Sequence, residues 1–185
     1  MSIARISRGF YKYETFMRLS YDFYKRNVVE VARDLIGKNL VFGNFQGIIT
    51  ETEAYRGSDD EASHAYKGMS NRSAIMFGPP GHLYVYMIYG MYYCINVVTE
   101  EVGHPSAVLI RGLRLPDVHL DGPGKICRYL GITTRDNGIN LISNDNLYLT
   151  QGINIEKINI TTRIGINKAI DKPWRFVANI ASLVL

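Results

Sequence analysis

The sequence predicts an α+β fold, a single domain in which helices flank a core of mixed or antiparallel β-sheet. The chain has 185 residues, which is the usual size of one domain. Short strand-like segments outnumber the helical ones, and no internal repeat or linker divides the sequence. We therefore expect one domain over residues 1–185.

Two helices are predicted from their end signals. Asn27 stands in the position of an N-cap residue with Glu30 three positions later, and Gly37 follows the pattern from Val28 to Ile36. A second helix is predicted from Gly124 to Leu130, where another glycine follows.

Short runs of apolar residues predict the strands: Leu40–Phe42, Gly47–Tyr55, Leu83–Tyr89, Tyr92–Thr99 and Ala107–Arg111. Residues 57–80 are rich in Gly, Ser, Asp, Asn and Pro, so we predict a long functional loop there. The triplet from Asp136 to Gly138 is typical of a turn.

The composition is that of an ordinary globular protein, with 46% hydrophobic residues. The stretch from Leu83 to Val98 is too short and too polar for a membrane span, and the first 20 residues lack the apolar centre of a secretory signal. Cys94 and Cys127 have neither zinc-site nor disulfide-scaffold spacing, which favours a reducing cytosol. The net charge of +4 is compatible with a nucleic-acid partner without requiring one.

Glu51, Glu53 and Tyr55 share one side of the second predicted strand, together with Ile49, because side chains alternate along a strand. The simplest interpretation is a solvated strand edge. Alternatively, one carboxylate is a general base whose pKa is raised by partial burial and the neighbouring charge. The spacing alone does not choose between them.

Tyrosines mark the next two strands. Tyr84 and Tyr86 share a face, whereas Tyr89 precedes Gly90 and is expected at a hairpin tip. Aromatic side chains in strands usually pack in the core or across strands. Alternatively, one tyrosine stacks on a nucleic-acid base and another enters the duplex as a wedge.

Three further polar residues are candidates for a site. Asn96 interrupts an apolar run, so a buried amide there needs hydrogen-bond partners or a ligand. Arg111 ends an apolar strand, where an arginine usually has an acidic partner, and Glu53 is the natural candidate. His64 lies in the long loop, where a histidine is either a surface residue or part of a site.

Several motifs, taken in order, closely resemble the alkyladenine (3-methyladenine) DNA glycosylase family. They are Glu51–Tyr55, Asp60–His64, Met76–Met91, Cys94–Val98, Val108–Arg111, Gly122–Cys127, Arg163–Gly165 and Pro173–Phe176. The individual strings are modestly specific, but their number and order leave little room for coincidence. The resemblance covers about residues 31–176, and it implies a fold similar to the C-terminal domain of formyltransferases.

The resemblance also implies roles for individual residues. Glu53 matches the carboxylate that deprotonates the attacking water, assisted by Arg111 and the main-chain carbonyl of Ile164. Glu51 is expected to be structural. A carboxylate in this place suits the chemistry, because cleavage of an N-glycosidic bond passes through a positively charged, oxocarbenium-like sugar.

The same resemblance implies the residues that bind the base. Tyr55 and His64 match residues on one side of a base flipped out of the duplex, and Tyr86 matches the opposing surface. Tyr89 matches the residue that fills the gap left in the duplex. Asn96 matches the side chain that discourages guanine by crowding its exocyclic amino group.

These matches imply a monofunctional DNA glycosylase that releases alkylated or deaminated purines and leaves an abasic site. Its partner would be double-stranded DNA containing damaged purines, and no metal, cofactor or lyase lysine is required. We expect a monomer in the bacterial cytoplasm, associated with the nucleoid and not with a membrane.

Two departures from the family pattern stand out. Only ten residues, 112–121, separate Arg111 from Gly122, where many relatives have a longer basic connection, so DNA affinity is expected to be reduced. The end, 177–185, lacks the family's usual polar closing pattern, and this leaves the packing of the C-terminus open.

Two alternatives from other functional classes remain at this stage. The first is a nucleic-acid-binding module without catalysis, which would have no need of Glu53 beside Arg111. The second is a carbohydrate hydrolase that uses Glu51 and Glu53 as a pair, since residues two apart on a strand stand about 7 Å apart. No sugar-binding pattern accompanies that pair.

Overall fold

The computed structural model describes residues 17–179. A nine-stranded antiparallel sheet dominates it, with the order β3-β4-β5-β2-β1-β7, while β6 pairs with β5 and β9 pairs with β2 and β8. The strands are β1 Asn39–Phe42, β2 Phe45–Arg56, β3 Leu83–Ile88, β4 Tyr92–Val98, β5 Ser106–Arg114, β6 His119–Asp121, β7 Leu147–Thr150, β8 Ile158–Thr161 and β9 Arg175–Ala178.

Three short α-helices accompany the sheet: α1 Tyr21–Tyr24, α2 Val28–Asp34 and α3 Pro123–Leu130. Single 3-10 turns lie at Ala74–Phe77 and Thr134–Asp136. This confirms the predicted α+β class, and all pairings among the described strands are antiparallel. None of the helices within residues 17–179 combines the length and the apolarity needed to cross a bilayer.

Both predicted helices form, but α2 ends at Asp34, two residues before the predicted Ile36, and α3 begins at Pro123, one residue before the predicted Gly124. The Asn27 side chain accepts a hydrogen bond from the Val29 main-chain N–H at 2.9 Å and so caps α2. At the end of α3, Gly131 has φ 74°, a left-handed conformation that favours glycine. Both helices contribute buried side chains to the main hydrophobic core, which also contains Ile95 of β4 and Ile110 of β5.

The two faces of the β3-β4-β5 region have different neighbours. Leu83 and Val85 of β3 point into the main core beneath the helices. Tyr84 and Tyr86, which alternate with them, belong to a second and smaller cluster with Met76. The alternation of strand side chains therefore leaves the second face free to form a cleft.

Two bulges interrupt the pairing of β2 with β5. Thr50 is an extra residue on β2 and Arg111 is an extra residue on β5. The prediction that Ile49 shares a face with Glu51 and Glu53 is wrong, because the bulge at Thr50 reverses the alternation. Ile49 instead packs in the main core.

The end segments are described only in part. The expectation about a secretory signal concerns the first 20 residues, of which 1–16 lie outside the described part. Of the C-terminal segment 177–185, residues 177–178 end β9, and 180–185 lie outside the description. The short connection 112–121 forms the end of β5, a turn and β6.

Candidate active site

A cleft of about 730 Å³ lies over the second face of β3-β4-β5. The loop 57–80, the beginning of α3 and the segment 162–167 complete its walls. Seven of the eight residues proposed from the sequence line this cleft: Tyr55, His64, Tyr86, Tyr89, Asn96, Arg111 and Ile164. The eighth, Glu53, lies directly behind the cleft wall.

The Glu53 carboxylate is completely buried. Its Oε1 accepts a hydrogen bond from the Ile164 main-chain N–H at 2.9 Å and lies 3.4 Å from Nε of Arg111. Its Oε2 accepts a hydrogen bond from the Tyr55 hydroxyl at 2.8 Å. A carboxylate has about four acceptor positions, so these three contacts leave room for one more donor, such as water.

Two contacts around Glu53 differ in detail from the expectation. The group of Ile164 that touches Glu53 is its N–H, and the role of its carbonyl stays a prediction. Arg111 makes its hydrogen bond to Oε1 of Glu51 at 3.1 Å, so Glu53 is the more distant of its two acidic neighbours. Glu51 also accepts a hydrogen bond from Nε of Arg175 at 2.7 Å.

Burial raises the pKa of the Glu53 carboxyl above its ordinary value, and the charge of Glu51 adds to this effect. Arg111, the Ile164 N–H and the Tyr55 hydroxyl act in the opposite direction but do not cancel it. A carboxylate whose pKa is raised binds a proton more readily, which is the property that a general base requires.

His64, Tyr84 and Tyr86 form an aromatic cluster in the cleft. Nδ1 of His64 lies 2.8 Å from the Tyr84 hydroxyl, at hydrogen-bond distance. The Tyr84 and Tyr86 ring centroids are 5.2 Å apart, and the guanidinium of Arg72 lies 4.9 Å from the centroid of Tyr86. Burial, with a smaller contribution from the charge of Arg72, lowers the pKa of His64 to about 4, so its imidazole is neutral at pH 7.

The relative position of His64 and Tyr86 differs from the expected one. Their ring centroids are 4.6 Å apart and the rings are nearly perpendicular, at 83°. Rings that sandwich a base must stand roughly 7 Å apart, which is twice the contact distance of stacked carbon atoms. His64 therefore belongs to the same wall as Tyr86, where its contact with Tyr84 holds it.

Asn96 is buried in β4, where it lines the cleft. Its Nδ2 donates a hydrogen bond to the main-chain carbonyl of Tyr84 at 3.1 Å. The amide thus has a structural hydrogen bond, as one of the two interpretations of the sequence expected. Its effect on guanine stays a prediction.

Tyr89 stands at the tip of the β3–β4 hairpin, as predicted. Its side chain is 85% exposed, and its φ of 50° is unusual for a residue with a side chain. Gly90 follows with φ 68°. Met91, beyond the turn, is also exposed, so the tip presents apolar side chains to solvent at the mouth of the cleft.

Comparison with known proteins decides the class of this site. The model of the methylpurine-DNA glycosylase (MPG) family matches residues 22–120 and 116–181. The chain belongs to the methylpurine-DNA glycosylase family. It is therefore a hydrolase of the DNA N-glycosylase type that acts on DNA in repair, which decides against a carbohydrate hydrolase and against a binding module without catalysis.

Individual relatives support the same assignment. A protein of Ehrlichia ruminantium (strain Welgevonden) is 50% identical over 165 residues, which cover 86% of this chain and 88% of the relative. A Wolbachia protein (subsp. Brugia malayi, strain TRS) is 50% identical over 162 residues, covering 85% and 95%. A Rickettsia felis protein is 48% identical over 163 residues, covering 86% and 92%. All three are named "Putative 3-methyladenine DNA glycosylase".

The sequence did not reveal one buried ion pair of this glycosylase. Arg163 donates hydrogen bonds to both oxygens of Asp60, at 2.6 and 2.7 Å, and both side chains are completely buried. The guanidinium also lies 4.6 Å from the ring centroid of Tyr55. The pair thus supports Tyr55 through the ring contact and Ile164 through the chain. Both of these residues contact Glu53. Asp60 and Arg163 occur in the family motifs, but 103 positions apart, so no local pattern could pair them.

Proposed function

We propose that this glycosylase takes an alkylated or deaminated purine out of duplex DNA into the cleft and hydrolyses its bond to the sugar. The name of the relatives makes 3-methyladenine the first base to test. The observation that carries the proposal is the completely buried Glu53 carboxylate, held by Tyr55, Arg111 and Ile164 directly behind the cleft wall.

In the proposed reaction, the oxygen of a water molecule bonds to C1′ of the sugar as the N-glycosidic bond breaks. The bonding electrons leave with the base, so that a positively charged alkylated base departs neutral, whereas a deaminated base departs as an anion and takes a proton from solvent. The proton of the attacking water passes to Glu53, which afterwards returns it to solvent. The negative charge of Glu53 also stabilises the oxocarbenium-like sugar. Arg111 and the Ile164 N–H hold the carboxylate in place. The products are a free base and an abasic site, and no lysine forms a bond to the sugar.

The aromatic side chains provide the binding energy for the extruded base. We propose that the base lies between Tyr55 on one side and the His64–Tyr86 wall on the other. Stacking contributes about 1–3 kcal/mol per base, which offsets the few kcal/mol that extrusion costs. We further propose that Tyr89 enters the duplex in place of the base and that Asn96 disfavours guanine.

Product analysis tests this reaction. Duplexes that carry 3-methyladenine or hypoxanthine are incubated with the enzyme, with a duplex of undamaged adenine as the control. We expect release of the free base and an intact strand until alkali is added. Strand cleavage without alkali, or a covalent adduct trapped by borohydride, would contradict hydrolysis by water alone.

The monomeric state and the cytoplasmic, nucleoid-associated location of the protein stay predictions.

A further inference from the structure

Four charged side chains form a row that ends at Glu53. Nε of Arg175 lies 2.7 Å from Oε1 of Glu51, which lies 3.1 Å from Nε of Arg111. The same Nε of Arg111 lies 3.4 Å from Oε1 of Glu53. One nitrogen atom thus faces two carboxylates, and it is closer to Glu51 than to Glu53.

The local backbone produces this sharing. Arg111 is the extra residue of the β5 bulge, and a bulge re-aims its side chain relative to a regular strand. Gly112, the next residue, is paired with Glu51, and a Cβ atom there would lie 2.8 Å from Cβ of Glu51. Glycine therefore allows β2 and β5 to approach closely at the point where Arg111 meets both carboxylates.

We propose that Glu51 is a positioning residue for the glycosylase reaction: it holds Arg111 by its Nε and thereby keeps this guanidinium from pairing fully with Glu53. The proposal rests on the proposed role of Glu53 as the base. Arg175 from β9 fixes Glu51 on the side away from Arg111. Glu53 thus has enough positive charge nearby to stay in place, but remains basic enough to accept a proton from water.

The charged and titratable groups around Glu53 agree with this role. Glu51 is the neighbouring charge that raises the pKa of Glu53, while Arg111 lowers it. The groups that face Glu53 come from several elements: Glu51 and Tyr55 from β2, Cys94 from β4, Arg111 from β5, the Ile164 N–H from the segment 162–167 and, through Glu51, Arg175 from β9.

The pH dependence of base release under single-turnover conditions tests the proposal. In Glu51→Gln, Arg111 turns more fully towards Glu53, so the acid limb of the profile should move to lower pH by at least about half a unit. The plateau rate should fall about threefold to tenfold because the base is weaker, while affinity for lesion DNA stays unchanged. Glu51→Asp, which keeps the charge, should restore the limb towards that of the wild type.

Arg175→Gln is the second variant, and it should shift the limb in the opposite direction. Without Arg175, Glu51 draws Arg111 further from Glu53, so the acid limb should move to higher pH. A structural role of Glu51 alone predicts no such pair of opposite shifts. Glu101→Gln, which removes an exposed carboxylate that contacts Tyr21, is the control for loss of one negative charge. If Glu51→Gln does not fold, the sign of the Arg175→Gln shift decides.

The outcomes separate this proposal from the proposed function. Glu53→Gln is measured in parallel. If it releases bases at the wild-type rate, the role of Glu53 itself is wrong. If it is inactive while Glu51→Gln keeps the wild-type limb, or if Arg175→Gln moves it to lower pH, only the role of Glu51 is overturned.

Discussion

The inner end of the cleft and the tip of the β3–β4 hairpin are built in opposite ways. Every oxygen of Glu53 has a protein partner, and its side chain is completely buried. Tyr89, at the tip, is 85% exposed and in a left-handed conformation. This difference teaches that the proposed catalytic carboxylate is already held by protein groups without DNA, whereas Tyr89, as the proposed wedge, would gain its contacts from bound DNA.

Both regions have a cost for the folded protein, but of different kinds. Burial of the Glu53 carboxylate disfavours its charged form. A left-handed conformation at a residue other than glycine costs roughly 1–2 kcal/mol. Costs of this kind persist at functional sites because activity needs them, and removal of either one should make the protein more stable and less active.

The largest effect among the variants of the tip is expected for Tyr89→Ala. Loss of a stacking ring worth about 1–3 kcal/mol should reduce the extruded fraction of the base by roughly 5-fold to 150-fold. A fluorescent reporter base beside the lesion, followed in stopped flow, measures this. Tyr129→Ala is the matched control, because Tyr129 is also a partly exposed tyrosine. An unchanged reporter signal in Tyr89→Ala would show that Tyr89 does not act as the wedge.

The pH dependence of thermal stability tests whether Glu53, at the inner end of the cleft, is buried as a charge. The pKa of Glu53 is raised in the folded state, so its contribution to stability is fully present below the ordinary glutamate pKa and is lost as pH rises through the folded value. Gln does not titrate. The difference in Tm between Glu53→Gln and the wild type should therefore be larger at pH 7 than at pH 4. Each kcal/mol of unfolding free energy that the wild type loses when Glu53 ionises corresponds to about 2–4 °C. An equal difference at both pH values, measured by calorimetry, would show that burial of this charge costs nothing.

A smaller effect is expected at Arg72, which contacts the aromatic cluster of the cleft. Its guanidinium is near the Tyr86 ring and should repel a base that carries a positive charge. Because Arg72 is exposed to solvent, the interaction is screened. In Arg72→Gln, the rate for 3-methyladenine relative to hypoxanthine should rise about twofold to fivefold. A fall in this ratio in single-turnover assays would exclude the repulsion.

The smallest effect concerns His64. Its pKa of about 4 means that the ring stays neutral above pH 5. Its contribution to stability is fully present above the ordinary histidine pKa of about 6.5 and is lost as pH falls from there through about 4. Its ring signals in NMR should titrate with a midpoint near 4. His64→Gln should lower the rate without changing the shape of the pH–rate profile between pH 5.5 and 8. A midpoint near 6.5 would show that the ring is not held in the wall as described.

The sequence predicted those parts of the structure that depend on local pattern. Asn27 and Gly131 mark helix ends by their own chemistry, and Gly90 beside Tyr89 predicts a turn. The resemblance to the family supplied the residues of the site. The alternation of strand side chains correctly placed Glu53 and Tyr55 on one side of β2 and Ala54 on the other.

The rest depends on contacts that local pattern does not encode. The bulge at Thr50 moved Ile49 to the other face, and nothing in the composition of the strand signals it. The pairing of Asp60 with Arg163 and that of Glu51 with Arg175 join residues more than 100 positions apart. The contact of His64 with Tyr84 and its position beside Tyr86 are also tertiary, so the sequence could not predict them.

Extrusion and bond cleavage in Glu53→Gln, compared on the same lesion duplex, decide whether Glu53 is the general base. The reporter base measures the extruded fraction, and single-turnover quenching measures release of the damaged base. We expect an unchanged extruded fraction and release slower by about 100-fold to 10,000-fold, which is the usual contribution of a general base. Release within about threefold of the wild-type rate, with extrusion intact, would contradict this role.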